Sequence, residues 1–251
     1  MPDLHAIEDT FGSFVTFRRG FGIDDDRRWD MPIRVFLATL NGASVLVDAG
    51  VGPPGGGSFM PERQGRLPAG LEQHGLGADD IDLVVFTHLH VDHVGWAVVD
   101  GELHFPNARY VAHEAEFDYF SQPDADPLDI RDRLIDLRGA GRIEVVEADG
   151  EIHPGVAIRH LPGHTPGHCG VEVGDVFVFG DAVVHELQLA NPDQPFFAEA
   201  DPVQAAAMRR QLLPELAESG VVVGSPHLPT PFGRIRRENG RFAWSPFDQS
   251  V

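Results

Sequence analysis

The stretch Thr87-His88-Leu89-His90-Val91-Asp92-His93 decides the fold prediction, because it gathers three imidazoles and one carboxylate within a few residues. It follows the apolar run 81–86, whose length and branched side chains are typical of a buried strand. Side chains two apart in a strand point to the same face, so His88 and His90 should project together. A helical turn after them would direct Asp92 and His93 to a second point nearby. The motif therefore predicts two metal ions, and imidazole with carboxylate is the ligand set of zinc or a similar divalent ion.

Three later segments have the chemistry to complete such a site. The loop Leu161-Pro162-Gly163-His164-Thr165-Pro166-Gly167-His168 is punctuated by Gly and Pro, which suits a fixed side-chain pose. Asp181 ends the apolar run 176–179, and His227 follows the apolar run 221–223. Each is weak alone, because an Asp after a strand is usually a turn former and a lone His is usually structural.

Together these segments resemble the metallo-β-lactamase superfamily of dinuclear hydrolases, in its His-x-His-x-Asp-His form, over residues 33–238. The resemblance implies an α/β fold, a four-layer αββα sandwich, with residues 1–251 forming a single hydrolase domain. It implies that Asp181 bridges the two metals and that Asp48, in Val47-Asp48-Ala49-Gly50, supports the metal-binding loop. The remaining ligands divide between the metals, with one bound by His88, His90 and His164 and the other by Asp92, His93 and His227.

Composition favours a soluble enzyme domain. The chain has 251 residues, of which 42% are hydrophobic, enough for a substantial core. Its single cysteine, Cys169, excludes an intramolecular disulfide and is predicted to be a small buried hydrophobe. No apolar run approaches the roughly 20 residues that span a membrane. The first residues lack a basic region followed by an apolar one, so we expect no signal peptide and predict the cytoplasm.

The charge balance is strongly acidic. There are 39 acidic and 19 basic residues, every base is arginine, and the net charge is −20. Such a chain repels phosphate backbones and anionic lipid surfaces, which argues against a nuclease or a membrane-binding protein. We therefore predict a small, neutral, partly apolar substrate, with a homodimer as a candidate assembly.

The predicted chemistry is hydrolysis by a hydroxide held between two divalent ions. Zinc is the first expectation, with iron, cobalt or manganese as alternatives. Metal coordination lowers the pKa of water from about 15.7 toward 7, which supplies a nucleophile at neutral pH. Asp181 would orient this hydroxide, and Asp92 would accept its proton as well as bind metal.

The substrate class is predicted from finer resemblances. Asp181 argues against antibiotic-cleaving metallo-β-lactamases, and His90 argues against flavodiiron oxidoreductases. Segments 180–188 and 226–235 resemble the branch of N-acyl-homoserine lactonases and methyl parathion hydrolase-like enzymes. Lactones or related carboxylic esters are thus the predicted substrates. The alternatives are an organophosphate triesterase or arylesterase, a hydroxyacylglutathione-type thioesterase and a non-catalytic binding member, the last disfavoured because all seven ligands are retained.

Residues outside the ligand set have open roles. His185 follows Asp181 closely and either donates a hydrogen bond to substrate, as a catalytic residue, or satisfies backbone groups. Structural roles are predicted for His113, His160 and His168. An apolar pocket for an acyl or aryl group would draw on aromatic residues, of which most are expected to be core; the candidates are Phe11, Phe14, Phe59, Trp96, Phe196 and Phe197.

Overall fold

The computed structural model describes residues 3–54, 64–122, 137–139 and 141–247. The chain divides into two compact units. The first, which we call the motif unit, comprises Pro2–Phe11 and Ile33–Asp149. The second, the Asp181 unit, comprises Gly12–Pro32 and Gly150–Val251, together with Met1. The single hydrolase domain over residues 1–251 stays a prediction.

Strands and helices both occur along the described residues. The strands, in chain order, are β1 (Asp3–Thr16), β2 (Arg28–Leu40), β3 (Ala43–Val47), β4 (Leu83–Val85), β5 (Val98–Val99), β6 (Glu102–Leu103), β7 (Arg109–His113), β8 (Ile143–Val146), β9 (Gly150–His153), β10 (Val156–His160), β11 (Cys169–Val173), β12 (Val176–Val178), β13 (Val222–Gly224), β14 (Phe232–Glu238) and β15 (Arg241–Pro246). The helices are α1 (Phe17–Phe21), α2 (Leu67–Gln73), α3 (Val91–Val94), α4 (Glu114–Phe120), α5 (Glu186–Ala190) and α6 (Pro202–Ser219), with 3-10 turns at Ala78–Asp80 and Gly180–Ala182.

The sheet of the motif unit has the strand order β1-β2-β3-β4-β7-β8, to which β1 and β2 contribute residues 3–11 and 33–40 in this unit. Strands β3, β4, β7 and β8 run parallel to one another, whereas β2 is antiparallel to β3. All three residues of β4 are buried. A parallel strand that is covered on both faces needs a continuous apolar run, which explains the sequence before the histidine motif.

The turn between β2 and β3 lies at Asn41-Gly42. Both residues have positive φ, 53° and 84°, and Leu40 pairs with Ala43 across the turn. Asn-Gly is the preferred sequence of a two-residue hairpin loop in which both residues are left-handed.

The Asp181 unit contains a seven-stranded sheet with the order β15-β14-β13-β12-β11-β10-β9. Strands β12 and β13 are parallel, and the other neighbouring pairs are antiparallel. The hairpin of β11 and β12 pairs Val171 with Val178. Cys169, the first residue of β11, is buried as predicted.

Helix α6 is the longest helix in the described residues and belongs to the Asp181 unit. The carboxylate of Asp201 accepts hydrogen bonds from the first-turn N–H groups of Val203 and Gln204, and Gly220 ends the helix in a left-handed conformation. Leu212 and Leu213 on this helix join the core of the unit. No helix in the described ranges is both long enough and apolar enough to cross a membrane.

Candidate metal centre

The histidine motif begins where β4 ends, in the turn that leads into α3. His88 and His90 lie two residues apart in this extended turn, and Nε2 of His88 is 2.9 Å from Nδ1 of His90. His88 is fully buried, and His90 is partly buried. The two imidazoles therefore converge on one point, as the two-residue spacing predicted.

Asp92 and His93 lie in the short helix α3. Nε2 of His93 is 3.8 Å from Oδ2 of Asp92, and the His93 side chain is almost fully buried. The helical turn thus places this pair beside the first, with the ring centroids of His88 and His93 4.0 Å apart. One short segment presents two sets of donor atoms.

Asp48 holds the motif in place through side-chain hydrogen bonds. Its carboxylate accepts from the backbone N–H of Thr87 at 2.7 Å and from the Thr87 hydroxyl at 2.9 Å. Nδ1 of His93 donates to Oδ2 of Asp48 at 2.8 Å, which leaves Nε2 of that ring to face Asp92. A carboxylate on the far nitrogen is the arrangement that fixes the tautomer of metal-binding histidines.

The segment after Asp48 clamps α3 through its backbone. The N–H of Ala49 donates to the carbonyl of His93 at 2.6 Å, and the N–H of Gly95 donates to the carbonyl of Gly50 at 2.7 Å. A Cβ on Gly95 would lie 2.0 Å from the carbonyl carbon of Val51, so a side chain has no room there. This close approach explains the glycines on both segments.

A buried carboxylate that the sequence did not reveal braces this clamp. Asp9 accepts hydrogen bonds from the N–H groups of Val51, Arg66 and Leu67 and from the indole of Trp96, at 2.6–3.1 Å. Desolvation raises the pKa of Asp9, opposed by these hydrogen bonds. Asp9 lies on β1, far from the motif along the chain, and no local pattern distinguishes it from a solvated strand residue.

The Asp181 unit brings together the three remaining predicted ligands. Oδ1 of Asp181 is 3.0 Å from Nε2 of His227, and Oδ2 is 3.3 Å from Nε2 of His164. All three residues are buried. Nδ1 of His227 donates to the carbonyl of Pro32 at 2.8 Å, so the other ring nitrogen is left to face the carboxylate. Each oxygen of Asp181 thus faces a different imidazole.

His185 caps a helix and lies among aromatic rings. Its Nδ1 accepts from the N–H of Leu187 at 3.1 Å, at the start of α5. Its ring centroid is 5.1–5.4 Å from those of Phe17, Phe21 and Trp29. Desolvation lowers the pKa of His185 to about 4, so the imidazole is neutral at pH 7. Because Nδ1 accepts, the single proton lies on Nε2.

These rings form an aromatic cluster beside two candidate ligands. Phe196 contacts Phe21 and Trp29, with ring centroids 5.3 and 6.1 Å apart. Trp29 lies 6.4 Å from the ring of His227, and Phe196 lies 6.5 Å from the ring of His164. Within the Asp181 unit, the cluster therefore flanks the imidazoles that face Asp181.

The predicted pocket aromatics only partly coincide with this cluster. Phe196 belongs to it, whereas Phe17, Phe21 and Trp29 were missed, because nothing in their local sequence links them to His185. Phe197 contacts Phe196 at 4.8 Å but is partly exposed. Phe14 is partly buried on β1. Phe11 and Trp96 belong to the motif unit. There Phe11 is exposed, and the indole of Trp96 donates to Asp9. Phe59 lies outside the described residues.

The three histidines for which structural roles were predicted, His113, His160 and His168, all bond to backbone groups. Nδ1 of His113 accepts from the N–H of Ala115 at the start of α4, at 3.2 Å. Nε2 of His160 donates to the carbonyl of Pro166 at 2.8 Å. His168 bonds to the backbone of Leu161 and Asp181.

The donor set of each unit fits a divalent cation. The motif unit offers His88, His90, Asp92 and His93, and the Asp181 unit offers His164, Asp181 and His227, all as imidazole or carboxylate donors. Carbonyl or carboxylate partners on Nδ1 of His93 and His227 leave Nε2 as the ring nitrogen that could bind a cation. Buried, preoriented imidazole and carboxylate donors suit zinc and similar divalent ions.

This chain is similar in sequence to one protein superfamily and to several individual lactonases. The Metallo-beta-lactamase superfamily profile matches residues 28–217. The N-acyl homoserine lactonase AiiB of Agrobacterium fabrum is 31% identical over 166 residues, which cover 57% of this chain and 58% of that relative. The N-acyl homoserine lactonase of Bacillus thuringiensis is 24% identical over 209 residues, 73% of this chain and 76% of the relative. The chain thus spans little more than half the length of the first of these relatives.

A solved structure has the same fold over nearly the whole chain. AidC, a dizinc quorum-quenching lactonase solved in complex with a product, matches with a TM-score of 0.85 at 21% identity, covering 99% of this chain and 95% of its own. The predicted α/β fold class of the metallo-β-lactamase type is confirmed. The predicted resemblance to the lactonase branch is confirmed by the relatives in sequence.

Proposed function

Because the chain belongs to the metallo-β-lactamase superfamily, we propose that it is a dinuclear metal-dependent hydrolase that opens lactones or cleaves related carboxylic esters. The observation that carries the proposal is the carboxylate of Asp181, whose two oxygens face the imidazoles of His164 and His227 at 3.3 and 3.0 Å. One carboxylate with a different imidazole at each oxygen suits two cations better than one. The relatives in sequence that are N-acyl homoserine lactonases support the substrate class.

Under this proposal the ligands divide as the family pattern implies. One ion would be held by His88, His90 and His164, and the other by Asp92, His93 and His227, with Asp181 shared between them. When bound, two divalent ions would supply a water nucleophile at neutral pH and polarise the carbonyl of the ester. Zinc is the metal that we propose, because the donors are imidazole and carboxylate.

The residues of the chain would contribute proton transfer and orientation. Asp92, whose side chain is 13% exposed, would take the proton of the attacking water. Asp181 would keep that water oriented. His185 would donate a hydrogen bond from Nε2 to an oxygen of the substrate, because its Nδ1 is occupied by the N–H of Leu187. A neutral donor suits a carbonyl oxygen, which gains negative charge during attack.

The aromatic cluster supports an acyl or aryl group on the substrate. Phe17, Phe21 and Trp29 surround His185, and Phe196 packs on Phe21 and Trp29. Trp29 lies beside His227 and Phe196 beside His164. Such rings bind apolar groups through area burial and edge contacts. Aryl esters and phosphotriesters are therefore the second candidate substrates. The homodimer and the cytoplasmic location stay predictions.

The test is a substrate panel with metal-reconstituted protein. N-acyl homoserine lactones, simple lactones, aryl acetates, phosphotriesters, a thioester and RNA would be compared by kcat/KM. We expect lactones or aryl esters to exceed RNA and phosphodiesters by orders of magnitude, because a net charge of −20 repels polyanions. Preferential cleavage of RNA or of the thioester would overturn the proposed substrate class. Elemental analysis that finds a single ion, with no gain in activity on adding more, would overturn the dinuclear proposal.

A further inference from the structure

His168 lies where three neighbouring strands of the Asp181 unit end together. It directly precedes β11, and its side chain is fully buried. On one side β11 pairs His160 with Cys169, and on the other it pairs Val171 with Val178. When both registers are continued past the strand ends, His168 stands between Leu161 and Asp181.

The His168 ring joins these two neighbours by hydrogen bonds. Its Nε2 accepts from the backbone N–H of Asp181 at 2.9 Å, and its Nδ1 is 3.1 Å from the carbonyl oxygen of Leu161. A backbone N–H can only donate and a carbonyl can only accept, so Nε2 carries no proton and Nδ1–H donates. One neutral tautomer satisfies both bonds. The N–H of Leu161 also donates to the carbonyl of His168, at 2.7 Å.

The His168 ring takes the place of a backbone hydrogen bond between the residue before β11 and the residues after β12. Gly180 has a φ of +54°, and Asp181 has φ −94° and ψ 18°, so the chain leaves the extended conformation after β12. The N–H of Asp181 is buried there and needs an acceptor. The imidazole of His168 accepts this hydrogen bond through Nε2, and its Nδ1 bonds to Leu161, which follows β10.

We propose that His168 is a positioning residue that sets the separation of His164 and Asp181. The loop that His168 closes carries His164, and the turn that it bonds carries Asp181. Nε2 of His164 lies 3.3 Å from Oδ2 of Asp181 in this arrangement. The inference rests on the proposed function, because it matters for catalysis only if both residues bind metal.

The experiment compares two variants of His168 with a matched control. H168F keeps a planar ring but leaves the N–H of Asp181 and the carbonyl of Leu161 without their partner. H168Q keeps an oxygen that can accept from Asp181. C169A removes the adjacent buried side chain, whose thiol contacts the carbonyl of Gly167 at 3.3 Å, and leaves both bonds of His168 intact. Each protein would be titrated with zinc and cobalt, and its thermal stability measured without metal.

We expect the H168F variant to bind at least one of the two ions about 10–100-fold more weakly than the wild type, the range seen when a residue that hydrogen-bonds to metal ligands is replaced. Its cobalt absorption spectrum should change, because the ligand geometry changes. H168Q should bind metal with an affinity between those of H168F and the wild type. C169A should melt at a lower temperature yet keep the metal affinity and the cobalt spectrum of the wild type.

Two results would overturn the inference. One is an H168F protein with the metal affinity and cobalt spectrum of the wild type. The other is a loss of affinity in C169A equal to that in H168F at equal loss of thermal stability, because His168 would then act only through general stability. If H168F does not fold, H168Q against C169A decides the question. A wild-type protein that binds no metal at all would overturn the proposed function first, and the inference with it.

Discussion

His227 and Asp181 face each other in a fixed orientation. Nε2 of His227 lies 3.0 Å from Oδ1 of Asp181, while Nδ1 of the same ring donates to the carbonyl of Pro32. The imidazole therefore cannot rotate without losing a buried hydrogen bond. If His227 binds metal as proposed, its Nε2 is already oriented toward the carboxylate, which would reduce the cost of ordering the site.

The substitution D181N tests the bridge. A neutral amide compensates two cations poorly, so we expect the fold to persist, one ion to be lost on dialysis, and kcat to fall by at least about 100-fold. Elemental analysis and initial rates would measure both effects. D175N removes one negative charge from the exposed turn between β11 and β12 and should change neither quantity. Turnover by D181N at the wild-type rate would remove Asp181 from the mechanism.

The substitution G95A tests the backbone clamp on α3. Its Cβ would lie 2.0 Å from a backbone carbon of Val51, which forces α3 away from Gly50. We expect the free energy of unfolding to fall by about 3 kcal/mol or more, as for other steric substitutions in packed cores. Urea unfolding would measure it. G139A is the control, because a Cβ there meets nothing within 4 Å. Equal stability of the two variants would show that the clamp tolerates a side chain.

The substitution F17A tests the aromatic cluster as an acyl pocket. In the wild type, each methylene added to the acyl chain of the substrate should raise kcat/KM by up to about fourfold, which is ~0.8 kcal/mol, while the pocket has room. F17A should flatten this series, because Phe17 is a partly exposed member of the cluster. F11A, at an aromatic residue of the motif unit that is 58% exposed, should leave the series unchanged. A flat series in the wild type would show that the acyl group stays in water.

The lowered pKa of His185 should make the free energy of unfolding depend on pH. Desolvation lowers its folded pKa to about 4, against 6.5 for a solvated histidine. Between these values the unfolded chain binds the extra proton, so stability is complete above pH 6.5 and is lost as the pH falls toward 4.

The substitution H185F removes this contribution. The free energy of unfolding of the wild type should fall between pH 7 and pH 5 by about 1 kcal/mol more than that of H185F, after allowance for solvent screening of a partly exposed ring. Urea unfolding at the two pH values would measure the difference. His74 is the control position, because its imidazole is exposed, whereas that of His185 is partly buried; desolvation lowers the pKa of His74 in the same direction. H74F should therefore retain nearly the full pH dependence of the wild type, and equal behaviour of H185F and wild type would contradict the assignment.

Local sequence predicted those features whose causes are local. The two-residue spacing of His88 and His90 dictates that the rings converge, because alternate side chains of an extended chain share a face. Asn41-Gly42 dictates its hairpin turn, because both positions need positive φ. The contact of His168 with Asp181 was not predicted, because it depends on the registers of β10, β11 and β12, which place the two residues side by side only once the strands have paired.

Other features depend on contacts between distant parts of the chain. Asp9 braces Val51, Leu67 and Trp96, and Trp29 packs on His185 and near His227, although long stretches of chain separate these residues. Nothing adjacent to Asp9 distinguishes a buried carboxylate from a solvated one. The tautomer of His227 likewise depends on the carbonyl of Pro32, which no motif near His227 includes.

By itself, the sequence determined the family, the candidate ligands and the strand-to-turn geometry of the histidine motif, because ligand type and spacing are properties of a short segment. Only the tertiary structure decided which ring nitrogen each of His93, His185 and His227 presents, which carboxylate is buried, and which aromatics surround His185. Hydrogen-bond partners and desolvation depend on neighbours that folding brings together. Those neighbours, and not the candidate ligands alone, set the protonation and orientation of the side chains in the candidate site.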